Sequence, residues 1–101
     1  MEKDLTLTEL YDIYGVLLTK RQRELFEGYY LYDLSLSEIS APDGKSRQSV
    51  YEGVKKVKNK LIEYEKLLKI KSKETALTEF ANNVGDKVVG DKIIEILQNN
   101  K

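Results

Sequence analysis

Residues 46–71 read SRQSVYEGVKKVKNKLIEYEKLLKIK, and the spacing of their apolar side chains decides the fold. Val50, Val54, Val57, Leu61, Tyr64 and Leu68 follow one another in steps that alternate four and three. That is a helical seam of the heptad kind, sustained over three to four repeats. Ser46 has the side chain to cap it, because a serine hydroxyl takes up one of the orphan amide protons of a first turn. Gly53 is the one weak point, costing roughly 1 kcal/mol relative to alanine. The stretch predicts a helix of about 25 residues, roughly 38 Å long at 1.5 Å per residue. A rod of that length in a small protein either projects or carries other helices along its side.

The segments on either side of the rod are shorter and also helical. Thr6 or Thr8 is the expected start of a first helix, with Leu10, Ile13, Tyr14 and Leu17 on one stripe and an end near Leu18. Thr19 and Gln22 form a capping box that opens a second helix, buried through Leu25, Phe26, Tyr29 and Tyr30 and finishing near Tyr32. Ser35 and Glu38 form another box and open a third, with Leu36 and Ile39 facing inward. Pro42 restricts the residue before it, so Ala41 should close this helix. Pro42-Asp43-Gly44-Lys45 then reads as a turn leading into Ser46. Beyond the rod, Thr75 is the expected cap of a fifth helix (Leu77, Phe80, Ala81, Val84) that stops at Gly85. Asp86 is the expected cap of a sixth, through Val88, Val89, Ile93, Ile96 and Leu97. Val88-Val89-Gly90 followed by Ile93–Leu97 can also be written as two short strands; the spacing of Asp91 and Glu95 favours helix. The expectation is an all-α, single-domain bundle over residues 1–101, with a helix-turn-helix core at 8–71 and a helical extension at 75–101.

Composition narrows the function classes. The 101 residues contain no cysteine and no histidine, so thiolate sites, disulfides and the usual general base are absent. No nucleophile stands beside a base, and no glycine-rich phosphate loop of Walker spacing occurs; the two Val-Gly-Asp-Lys tetrapeptides are too short for one. The carboxylates are scattered singly. The reading is therefore not an enzyme, with no catalytic residue, no cofactor, no metal and no small-molecule substrate. No apolar run is long enough to span a bilayer and the N-terminus lacks a leader pattern, which suits the cytoplasm.

Formal charge sums to zero but is unevenly spread. Residues 1–45 hold five Lys or Arg against nine Asp or Glu, residues 46–73 nine against three, and residues 74–101 three against five. A basic helix between acidic flanks has two readings: a bundle whose lysines solvate its free face, or a surface for phosphate. Two capping boxes, a short helix, a tight turn and a long helix opening on Ser-Arg-Gln make a helix-turn-helix pattern, in which the second helix offers its first turns to nucleic acid. With Val50, Val54 and Val57 on the core, Gln48, Glu52, Lys55 and Asn59 point away from it on one narrow face. Arg47 and Tyr51 lie between the two faces. Arg47, Gln48, Tyr51, Glu52, Lys55, Lys56 and Asn59 are the candidate nucleic-acid-binding residues: Arg and Gln read base edges, Lys suits a phosphate, and Tyr51 has a ring that stacks on bases but more often packs.

Residues 17–40 and 46–68 together resemble the YlxM family of small bacterial proteins, itself similar to region 4 of sigma factors. The matching features are Leu18-Thr19 with Gln22, Tyr29-Tyr30, Leu34-Ser35-Leu36 with Glu38-Ile39, and Ser46-Arg47-Gln48 with Val50-Tyr51. The resemblance spans roughly Tyr11 to Leu68; residues 75–101 carry no matching motif. It implies a regulatory or accessory protein of the signal recognition particle pathway that binds DNA or the particle's RNA. The stretch from Ser40 to Lys45 departs from the family pattern by losing two apolar anchors of the turn. This predicts a looser angle between the third and fourth helices and favours phosphate charge or a protein partner over base reading. The alternative role is a protein–protein module without nucleic-acid contact, either a homodimer joined along the rod near Leu61 and Leu68 or a partner of a particle protein.

Overall fold

A computed structural model describes residues 5–99, and every regular element among them is helical. The helices are α1 (Leu5–Tyr14), α2 (Lys20–Phe26), α3 (Leu36–Ser40), α4 (Arg47–Leu68), α5 (Ile70–Asn83) and α6 (Lys87–Asn99). They form two compact units, one ending at Leu67 and the other beginning at Leu68.

The first unit is built around α4. Val50, Val54, Val57 and Leu61 are at most 1% exposed, so the seam is the centre of the core. Leu7, Leu10, Tyr14, Leu18 and Phe26 close over its Val57–Leu61 half, and Leu25 joins Val50 and Val54 at the other. Leu61 is thus covered by its own chain, and a second copy is not needed to hide it. Tyr64 is half-buried against the core, whereas Leu68 is exposed.

Several boundaries differ from the sequence reading. α1 already runs at Leu5, so Thr6 and Thr8 lie inside it. At Gly15–Leu17 the chain tightens into a 3-10 turn. Leu18 then leaves the helix in an extended conformation, ψ 154, and it is Leu18 that is buried while Leu17 is exposed. The second helix does not run regularly to Tyr32: Glu27–Leu31 widens into a π-helix, closed by the Tyr32 amide on the Glu27 carbonyl at 2.8 Å. Asp33 then takes φ 56 and Leu34 bonds back to Gly28 at 2.9 Å. Aspartate is among the few side chains that tolerate this left-handed stop. The rod ends at Leu68 and not at Lys71, because Lys69 turns left-handed at φ 57. α5 begins immediately at Ile70, which places Thr75 inside the helix it was expected to cap.

The second unit is the hairpin of α5 and α6. Val84 is extended, Gly85 follows, and the Asp86 carboxylate accepts from the amides of Val88 at 2.9 Å and Val89 at 3.3 Å. The helices meet at Ala81 and Gly90, where a Cβ on Gly90 would lie 2.4 Å from the Ala81 carbonyl oxygen.

Candidate nucleic-acid interface

The site begins with the entry into α3. The Ser35 hydroxyl accepts from the Glu38 amide at 3.1 Å, and the Glu38 carboxylate accepts from the Ser35 amide at 3.0 Å. Those hydrogen bonds hold the Glu38 carboxyl below the ordinary glutamate value, since they favour its charged form. α3 ends at Ser40, whose hydroxyl donates to the Ser37 carbonyl at 3.1 Å. The turn is a 3-10 segment, Ala41–Asp43, and Ala41 stays right-handed helical ahead of Pro42. Pro42 sits at the start of that turn, where its missing N–H is no loss. Gly44 at φ 65 reverses the chain, a conformation that glycine adopts without strain.

α4 then opens as expected. The Ser46 hydroxyl accepts from the Ser49 amide at 3.0 Å, and Val50 bonds back to the Ser46 carbonyl at 3.2 Å. The two helices of the motif share one cluster: Leu36 and Ile39 of α3 pack with Leu25, Val50 and Val54, and Tyr29 and Tyr30 border it. Gly53 lets α2 approach α4 closely; a Cβ there would stand 2.8 Å from Leu25 Cδ1.

All seven candidate residues lie on the exposed side of α4. Arg47 and Gln48 are in the first turn, and Tyr51 on the flank is 38% exposed. Gln48 Nε2 donates to Glu52 Oε1 at 3.2 Å, so the Gln48 amide and the carboxylate one turn on form a single polar unit. Further along, Glu52, Lys55, Lys56, Asn59, Lys60 and Glu63 line a shallow open trough. Lys60, one of the lysines of this basic helix, joins the trough although it lies outside the seven candidate residues. The lysines flank a line made by Glu52, Asn59 and Glu63. This is a basic-edged, mixed-centre face, suited to phosphates on both sides of a strip of polar contacts.

Tyr11 and Tyr14 fix the back of this assembly. The Tyr14 hydroxyl donates to Glu65 of α4 at 2.6 Å, and Tyr11 donates to Glu27. Burial, and then the Glu27 carboxylate, push the Tyr11 phenol well above the ordinary tyrosine value. Its ring stacks on Phe26 at 4.3 Å, and Phe26 stacks on Tyr30 at 4.7 Å. Among the described residues no helix is long and apolar enough to cross a membrane, and no cluster of carboxylates is arranged to hold a metal ion.

Comparison with known proteins places similar sequences beside this geometry. The UPF0122 family model, described as "Putative helix-turn-helix protein, YlxM / p13 like", matches residues 1–100. A UPF0122 protein of Caldanaerobacter subterraneus subsp. tengcongensis is 54% identical over 69 residues, which cover 67% of this chain and 59% of that protein. A UPF0122 protein of Mycoplasma capricolum subsp. capricolum is 39% identical over 92 residues, 91% of this chain and 81% of the other. One from Clostridium kluyveri is 37% identical over 100 residues, 96% of this chain and 90% of its own.

Proposed function

Since the chain belongs to the UPF0122 family of YlxM/p13-like helix-turn-helix proteins, we propose that it is a non-enzymatic regulatory protein that binds nucleic acid through α4. One observation carries this reading. The opening turns of α4 bury Val50 and Val54 completely while leaving Arg47, Gln48, Lys55 and Lys56 exposed on the other side. A recognition helix needs that division: a fixed back, and a free front with cations at its edges. The resemblance to YlxM proteins supports a cytoplasmic role in the signal recognition particle pathway, with the particle's RNA or a DNA site as the ligand.

The test is binding to duplex DNA and to structured RNA across a salt series. Neutralised phosphates set the slope of log affinity against log salt. Arg47→Ala, Lys55→Ala and Lys56→Ala together are expected to flatten that slope by about 2–3 and to weaken binding to all sequences alike. Unchanged binding by the triple variant would remove the nucleic-acid reading. Recovery of partners from lysate with and without nuclease then separates an RNA or DNA ligand from a particle protein.

A second reading, a protein–protein module that works as a homodimer, draws on other parts of the same helix. Ile62 and Leu67 are 45% and 70% exposed, which leaves apolar surface outside the buried seam.

A further inference from the structure

The hairpin of α5 and α6 has one oily side and one polar side. The two helices face each other through Ala81, Thr78 and Glu74 on α5 and Gly90, Ile94 and Leu97 on α6. At about 100° per residue, Leu77 and Phe80 fall to one side of that contact line on α5. In an antiparallel pair, Val89, Ile93 and Ile96 of α6 fall to the same side. Leu77, Phe80, Val89 and Ile96 are 46%, 57%, 43% and 51% exposed, and Ile93 is half-buried. The opposite side carries Thr75, Asn82, Asp91 and Glu95, with Val88 as its one large apolar group.

We infer that this oily side is a self-association surface, on which the hairpins of two copies of the chain pair face to face as a four-helix bundle. Three observations select a second copy. Residues 69–99 hold five lysines and five carboxylates, so the surface neither repels its own copy nor attracts a strongly charged partner. Each hairpin buries little besides the Ala81–Gly90 line, and a second hairpin supplies the layer a helical pair lacks. The exposed apolar groups amount to on the order of 400 Å², the size of the largest apolar patch on a typical monomer, which is often functional. At the roughly 65% apolar fraction of homodimer interfaces this implies about 1,200 Å² in total, the lower end of what a specific pair buries. The inference rests on the hairpin and not on nucleic-acid binding by α4.

The full-length chain at high micromolar concentration is expected to sediment at twice its 11.7 kDa. Phe80→Asp with Ile96→Asp is expected to return it to 11.7 kDa, while Val88→Asp, at a more exposed position on the polar side, leaves the doubled mass. Because the chain has no cysteine, Ile96→Cys and Val88→Cys give single labelling sites. A short bis-maleimide is expected to join two copies through position 96 and not through 88, which tests the surface even if the double variant unfolds. A monomeric wild type, a dimer that survives Phe80→Asp with Ile96→Asp, or equal cross-linking at both positions would overturn the inference. Salt-dependent binding of nucleic acid by a monomeric chain would sink it and leave the proposed function standing.

Discussion

The Tyr14 hydroxyl reaches the Glu65 carboxylate at 2.6 Å, tying α1 to the far part of α4 across fifty-one residues of sequence. Tyr14 is 1% exposed, so this bond lies against the core and closes it at the end away from the helix-turn-helix. Tyr14→Phe keeps the ring and removes the donor. The expected cost is about 1–3 kcal/mol, the range for hydrogen bonds to charged groups. Urea unfolding checks it, and a change below about 0.5 kcal/mol would mean that the bond adds nothing net.

The seam of α4 predicts unequal effects along its length. Leu61→Ala removes a fully buried side chain and is expected to cost about 2–5 kcal/mol. Leu68→Ala acts on a side chain that is 46% exposed and is expected to stay near 0.5 kcal/mol. Thermal unfolding of the two variants compares them directly; equal losses would contradict the end of the buried seam at Leu61.

Two glycines at helix contacts should respond unequally. A Cβ on Gly53 meets the mobile end of Leu25, so Gly53→Ala is expected to be near neutral once about 1 kcal/mol of helix propensity is gained. A Cβ on Gly90 meets the Ala81 backbone oxygen, which moves only with its helix. Gly90→Ala is expected to cost about 1–3 kcal/mol and to speed amide exchange in residues 70–99.

The first turn of α3 should loosen in acid. Glu38 has its value lowered in the folded chain, so its contribution is complete above the unfolded value and disappears as pH falls through the folded one. Ser35→Ala removes the hydroxyl half of the box. The Glu38 carboxyl should then titrate closer to the ordinary glutamate value, which carboxyl NMR measures; an unchanged titration would show that the hydroxyl has no part in the shift.

At the other end of the pH scale Tyr11 sets the behaviour. Its folded value is raised above the ordinary 10.0, so the stability it supplies is full below 10 and is lost as pH rises from there toward the folded value. Tyr11→Phe should flatten stability against pH above about 10. Loss of the same slope in both chains would place the effect elsewhere.

Much of this architecture was legible because it is local. Thr19–Gln22 and Ser35–Glu38 announced their helices, Asp86 its cap, and the four-three steps from Val50 to Leu61 the buried face. What was not legible depends on how the chain is wound between those signals. The sequence around Gly15 contains nothing that forces a 3-10 turn or the extended Leu18 after it, and Leu18 takes the core place expected of Leu17. Lys69 breaks the rod although lysine is a good helix former, so local propensity does not announce the break. The candidate face was legible as a face, since burial of one side of α4 leaves only the other. The Gln48–Glu52 bond was not, because it depends on rotamers that periodicity does not specify.

The wide turn at Glu27–Leu31 holds one residue more than an α-helical turn needs. Deleting a single residue there would not erase the helix; it would wind it tighter and rotate everything downstream by about 100°. Tyr29, Tyr30, Leu36 and Ile39 would leave the surface of Leu25, Val50 and Val54 together. This stretch therefore works as a phase-setter, and the chain is expected to tolerate changes of side chain there better than changes of length.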